Sequence, residues 1–326
     1  MSSAKQNETW QICENENILF RELKLLNKKN GEFITILPEL GARLNSVNLL
    51  LGNELTPVIR TQGEFVIESN DSLFNNAKLF PFAGRISRGI YEHSGISYQL
   101  PVNYKDENNA CHGFAYNKSF SVSTSRFCKD FAEIELQHDF KETESGYPFK
   151  YRISVIYKLS INSEITVTTR IFNFNPESMF FSDGWHPYFQ LPSEVDTLKL
   201  QFNAKEKIEL NSFSIPTGKR IVFNNGYYQK YDLKNRAFDD VFMFANEKRE
   251  NLVELISEEK NYSFRIWFES GKDKYNYLVV YTPPDRKSIA IEPMTSNVNA
   301  FNNKEGLVSL DPGKEWSASY GFNFKV

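Results

Sequence analysis

The chain holds four histidines, His93, His112, His138 and His186, so chemistry run by an imidazole has few places to sit. His186 lies in residues 181–191, FSDGWHPYFQL, between Trp185 and Tyr188, with Pro187 directly after it. The residue before a proline is pushed from helical toward extended geometry, which predicts His186 on a strand or at a strand end. Imidazole is the side chain best poised to move protons near neutral pH, and the aromatic neighbours form a wall on which an apolar ring face can stack. The competing reading is a histidine that hydrogen-bonds inside an aromatic core. His112 follows Cys111, which raises a Cys–His nucleophile pair; adjacent strand residues point to opposite faces, which argues against it. His138, within IELQHDF, reads as a structural strand residue. His93, at the turn of GIYEHSGISYQL, reads as exposed and outside the chemistry.

Strands must position these side chains. In residues 151–159, Tyr151, Ile153, Val155, Tyr157 and Leu159 alternate onto one face. Ile165, Val167, Thr169 and Ile171 alternate again after a turn at Asn162-Ser163, which predicts a long antiparallel hairpin with a buried face. Residues 89–100 form two β-rich runs around His93-Ser94-Gly95, a second hairpin signal. Further strands are expected at 33–37, 42–51, 263–268, 277–281 and 289–291, with PELG at 38–41 a turn between the first two. Trp316, Ala318, Tyr320, Phe322 and Phe324 close the chain with period two. Residues 19–26 satisfy neither the helical nor the strand period. No amphipathic helix of ten residues stands out, nor any repeat, linker or low-complexity tract. Many short strands with turn signals predict an all-β sandwich or barrel.

The composition agrees. Of 326 residues, 40% are hydrophobic and 15% aromatic, enough for a large core, and 28 Phe with 16 Tyr favour strands over helices. A net charge of -3 leaves no basic footprint for nucleic acid. Three cysteines, Cys13, Cys111 and Cys128, are too few and too odd for a disulfide framework and fit a reducing compartment. The N-terminal MSSAKQNETW has no apolar core of signal-peptide length, and no stretch approaches the ~18 apolar residues of a membrane helix. The expectation is a soluble cytoplasmic protein of one domain, residues 1–326, with about 1–15 a loose polar segment.

Five short motifs occur in order: PFAGR at 81–85, CHGF at 111–114, HPYF at 186–189, FDDVF at 238–242 and IEPMT at 291–295. With the closing LVSLDPG at 307–313, they resemble the aldose 1-epimerase (galactose mutarotase) family, from about Glu32 to the C-terminus. The resemblance implies a large antiparallel two-sheet β-sandwich, the galactose mutarotase-like supersandwich, with a sugar site on its concave face. It implies an isomerase of carbohydrate metabolism that interconverts α and β anomers of an aldohexose or related sugar.

Mutarotation needs a base at the anomeric hydroxyl and an acid at the ring oxygen, expected on opposite sides of the ring, with no metal or other cofactor. Glu292, between Ile291 and Pro293, is the candidate base and is expected at a strand end on a rim. His186 is the candidate acid. By the resemblance, His112 binds substrate near the ring oxygen and Arg85 holds hydroxyls, its planar fork suiting neighbouring oxygens. Asp239 matches the hydroxyl-binding aspartate, with Asp240 as a rival. Gly84 stands where family members usually carry asparagine, which puts recognition of one hydroxyl in question. Trp185 and Tyr188 are candidates for stacking or for core.

Three other classes bear weighing. A non-catalytic sugar-binding protein on the same fold would be favoured by loss of Glu292 or His186, and both are present. A metal enzyme using His112, His186 and Asp239 lacks closely spaced ligand pairs. A hexose-6-phosphate 1-epimerase needs extra cationic donors, for which Arg88 and Lys78 flank the arginine motif. The expected partner is a small-molecule sugar; the sequence leaves the particular aldose and the oligomeric state open.

Overall fold

The computed structural model describes residues 5–16, 20–61, 74–223, 228–245 and 249–325. Among these, three large antiparallel sheets carry the fold. A nine-stranded sheet holds the hairpin Tyr151–Ser160 and Ile165–Asn173 at its middle, with the closing strand Glu315–Lys325 beside it. The alternation read from sequence is the reason: Tyr151, Ile153, Val155, Tyr157, Leu159, Ile165, Val167 and Ile171 are all fully buried. An eight-stranded sheet runs in the order Pro216–Val222, Glu206–Leu210, Asp239–Met243, Tyr277–Tyr281, Ile289–Met294, Gly184–Trp185 and Lys78–Leu79, with Tyr188–Phe189 also paired to Ile289–Met294. A six-stranded N-terminal meander completes the set.

The two larger sheets pack face to face through aromatic contacts. Phe189 meets Phe322 at 5.3 Å between ring centroids, Trp185 meets Tyr320 at 5.8 Å and Phe244 meets Phe268 at 5.3 Å. Strand alternation then decides what the eight-stranded sheet shows on its other face. Leu278 and Val280 are buried in the core, while their neighbours Val279 and Tyr281 turn to a cavity on the opposite side.

One expectation on organisation needs correction and one open reading is resolved. The N-terminal segment is not loose through residue 15: Lys5–Gln6 and Trp10–Glu16 are strands of the meander. Trp10 is fully buried and its indole donates to the Cys128 carbonyl at 3.0 Å, a tertiary anchor that polar neighbours conceal. Residues 21–27, part of the ambiguous run, form the strand Arg21–Asn27, with Leu23 and Leu25 in the core; Leu19 lies outside the described residues. The one α-helix among the described residues is Ala300–Asn303. The three cysteines are free thiols. No helix in the described residues is long and apolar enough to cross a membrane.

Candidate active site

Arg85, His112, His186, Asp239 and Glu292 line one pocket of about 200 Å³ on the cavity face of the eight-stranded sheet. They come from chain segments up to more than two hundred residues apart, so only the tertiary fold brings them together. Gly84, Phe74, Tyr104, Tyr188 and Tyr281 share the wall with a set of aliphatic side chains.

His186 sits between the two short strands Gly184–Trp185 and Tyr188–Phe189, held in extended geometry before Pro187. Its N–H donates to the Ala77 carbonyl at 3.1 Å and its carbonyl accepts from Asn76 at 3.0 Å. The ring stacks on Tyr188 at 4.7 Å with 13° between planes. Its Nε2 lies 3.2 Å from Glu292 Oε1, both side chains almost wholly buried. Burial drives the imidazole down to about 3, with Arg85 and Arg43 adding to the shift, against backbone hydrogen bonding. Its Nδ1 is buried with no hydrogen-bond partner among the described residues.

Glu292 is not at a strand end or a rim. It lies inside Ile289–Met294, 2% exposed, because the strand continues through Pro293 with Leu278 as the cross-strand partner. Burial raises its carboxyl well above the ordinary value, Asp239 adds to this, and Arg85 opposes it. The 3.2 Å contact of His186 and Glu292 therefore joins a depressed imidazole to an elevated carboxyl. The expectation of acid and base on opposite sides of a ring is also corrected, since the two stand side by side. The anomeric hydroxyl and the ring oxygen are both bonded to C1, so adjacent groups can serve both.

His112 follows the strand Asn109–Cys111 with φ 64°, and Gly113 follows with φ 70°. A Cβ at Gly113 would fall 2.1 Å from the Phe80 carbonyl oxygen, which itself accepts from Phe114 and Ala115. Glycine is thus required there, and the bend swings His112 into the pocket. His112 and Gly84 clip each other: the His112 N–H donates to the Gly84 carbonyl at 2.9 Å, and the Gly84 N–H donates to His112 Nδ1 at 3.3 Å. With Nδ1 accepting, the ring proton sits on Nε2. Burial, then His186 and Arg85, push this imidazole well below its usual value. The thiol of Cys111 is buried and driven up to about 12, chiefly by burial, so a Cys–His nucleophile is not present.

Arg85 begins the strand Arg85–Ser87, paired to Asn109–Cys111. Glu107 grips its Nε and Nη2, the latter at 3.0 Å. Asp239 starts Asp239–Met243 at the open end of the pocket; partial burial against the wall raises its carboxyl, Asp240 adds, and Arg85 opposes. Of the two aspartates, Asp239 lines the pocket and Asp240 pairs with Lys207 at 2.7 Å. Among the described residues no group of three or more His, Cys, Asp or Glu is placed to hold a metal ion.

The chain matches the family "Aldose 1-epimerase" over residues 24–323. It belongs to the aldose 1-epimerase family. An aldose 1-epimerase of Streptococcus thermophilus is 28% identical over 275 residues, covering 74% of this chain and 76% of that one. A galactose mutarotase-like protein of Clostridium acetobutylicum superposes with TM-score 0.84 at 23% identity, covering 98% of this chain and 99% of the other. A galactose 1-epimerase of Lactobacillus acidophilus gives 0.76 at 18% identity, with 99% of each chain covered. At these identities the two structures speak for the shared fold. The all-β sandwich expected from sequence is the fold of this aldose 1-epimerase family member.

Four placements differ from sequence reasoning or escaped it. Trp185 is core, not platform: its indole donates to Thr169 Oγ1 at 3.1 Å, while Tyr188 faces the pocket. His93 is half-buried against Phe149 and Phe180, away from the site. Glu107, in the loop YKDENNAC, has no sequence signal for its grip on Arg85. At Gly84, φ is 70° and a Cβ would come within 3.0 Å of Val298 Cγ2, so valine methyls fill the space where the family's usual asparagine would start.

Proposed function

We propose that this family member is a cofactor-independent mutarotase, with Glu292 as base and His186 as acid. In ring opening, the anomeric O1–H gives its proton to the Glu292 carboxylate as C1=O forms. The C1–O5 bond breaks and O5 takes a proton from His186. Rotation about C1–C2 and closure on the other carbonyl face return both protons, so the pair ends as it began. The pair carries one exchangeable proton. The shifts favour its residence on Glu292, and it crosses the 3.2 Å contact to His186 when sugar binds. Arg85 favours the ionised carboxylate and disfavours the imidazolium, so it acts on both ends of that transfer. The proton balance is the same with the roles exchanged.

The observation that carries this reading is the buried His186–Glu292 contact opening on a pocket with separate hydroxyl holders. His112, a donor through Nε2, stands beside His186 with ring centroids 5.5 Å apart and meets the ring-oxygen side of the sugar. Arg85, fixed by Glu107, and Asp239 hold other hydroxyls. A sugar-binding protein without turnover would have no use for two buried groups with opposed proton affinities. A phosphorylated sugar fits less well. Lys78 is fully buried against Asp183, Arg88 is exposed and does not line the pocket, and Arg85, the one lining cation among the described residues, is already matched by Glu107. Polarimetry on freshly dissolved single anomers, with and without protein, tests the reading; no acceleration over buffer on any aldose would sink it.

A further inference from the structure

The strand registers fix what lies beneath a sugar that touches both ends of this site. Val279 is the cross-strand partner of Glu292, and Val241 is the partner of Val279. Tyr281 is likewise the partner of Asp239. Directly opposed residues on neighbouring strands point to the same face, and neighbouring strands are about 4.8 Å apart. Glu292 and Asp239 thus stand on a diagonal, two strands and two residues apart, roughly 12 Å, with Val279 and Tyr281 on the strand between. A pyranose that places its anomeric hydroxyl at Glu292 and another hydroxyl at Asp239 lies over Val279 at its anomeric end and beside Tyr281 at the other.

At Val279 that floor offers no partner to a hydroxyl; the Tyr281 phenol lies at the Asp239 end. Val279 is half-buried and turned to the pocket, and Val241, Met294 and Val298 around it are buried and belong to a separate apolar cluster under the site. The backbone N–H and C=O groups of these strands are taken up in the ladder. A C–H face laid on the floor sheds water favourably. A hydroxyl pointing down at it gives up water and gains nothing.

We propose that Val279 is a specificity-determining residue, admitting aldopyranoses whose floor-facing side carries no axial hydroxyl and disfavouring those that carry one there. This rests on Glu292 and Asp239 both contacting the sugar, as proposed above. The same geometry explains why recognition is one-sided: the polar groups ring the substrate edge, and the floor selects by exclusion.

The test is a panel of single anomers followed by polarimetry on the purified full chain. D-xylose and D-glucose carry no axial hydroxyl beyond the anomeric one. D-galactose and D-mannose carry one on the upper ring face, and D-allose carries one on the lower. Whichever ring face meets Val279, one of these groups should fall about tenfold or more below glucose and xylose in kcat/KM. Val279→Thr, nearly isosteric, supplies a hydroxyl partner and should narrow that gap while lowering the rate on xylose. A gap smaller than tenfold in both groups, or a Val279→Thr that shifts all five sugars equally, overturns the proposal while leaving the acid–base reading in place. No acceleration of any of the five removes both. The wild-type panel needs no variant, and circular dichroism reports whether Val279→Thr is folded.

Discussion

Lys78→Met is the perturbation whose cost the structure specifies best. The Lys78 ammonium lies 2.6 Å from Asp183 Oδ1 with both side chains fully buried. It donates to the Gly184 carbonyl at 2.9 Å and sits 4.5 Å above the Trp185 ring. Asp183 accepts from the Tyr275 hydroxyl at 2.8 Å, and its backbone exchanges hydrogen bonds with Thr295 at 2.9 and 3.0 Å. The pair therefore ties the strand leading to His186 to the strand carrying Glu292. Methionine matches the stem of lysine and removes the charge, leaving a buried carboxylate with one hydroxyl donor. Breaking a buried pair on one side costs about 3–5 kcal/mol. At about 2–4 °C per kcal/mol for a large domain, Tm falls by roughly 10 °C. Burial raises the Asp183 carboxyl even beside Lys78. Without the ammonium it rises further, so the penalty is full above the elevated value and shrinks as pH falls toward the unfolded aspartate range. Urea denaturation of Lys78→Met, and of Lys78→Met with Asp183→Leu, is the assay. The double variant should recover part of the loss, because neither charge is then stranded. A single variant within 1 kcal/mol of wild type, or a double less stable than the single, would refute the reasoning.

Arg85→Ala should chiefly raise KM, and His186→Ala should chiefly lower kcat, because one group holds hydroxyls throughout and the other moves a proton only in ring opening; equal small effects in steady-state kinetics would misplace the site. EDTA dialysis should leave the mutarotation rate unchanged, and loss restored by a divalent ion would revive metal chemistry. The rate should persist well below pH 6.5, since it fails on the acid side only when the His186–Glu292 pair takes a second proton and His186 is depressed to about 3. An acid limb centred near 6.5 in a pH–rate profile would contradict the buried contact. His112 is depressed as well, so the unfolded chain binds its proton first and wild type loses stability relative to His112→Asn as pH falls below 6.5. At pH 5 the differential approaches about 2 kcal/mol, read by urea midpoints at pH 7 and 5.

The fold was legible where one face of a strand is buried. The period-two runs at 151–159 and 165–171 and in the closing strand carried enough pattern to place the central hairpin and its neighbour. Trp10–Glu16 was hidden because WQICENE is polar around its anchor, and the anchor's partner lies 118 residues away. The strand Ile289–Met294 ran past its expected end because Pro293 suggests a stop, whereas the sheet tolerates it. That same extension buries Glu292 and sets its proton affinity. The five candidate side chains were legible as motifs, yet their closeness was not, since it depends on how the sheet registers. Val279 could not be singled out, because YLVVY is apolar on both faces and nothing local says which one meets a cavity. Glu107 was equally silent: its meaning comes only from the fold returning it to Arg85.

The most direct test of the acid–base account is the mutarotation rate of Glu292→Gln against wild type, with sugar binding measured on the same sample. Glutamine keeps the size and the hydrogen bond to a hydroxyl but cannot exchange a proton with O1. Because Glu292 is buried beside His186 and not on a rim, circular dichroism and a urea midpoint must first show the variant folded. The account predicts a fall in turnover of about a hundredfold or more with sugar affinity changed far less. A folded variant that turns over at close to the wild-type rate would contradict it and move the search for the base to Asp239.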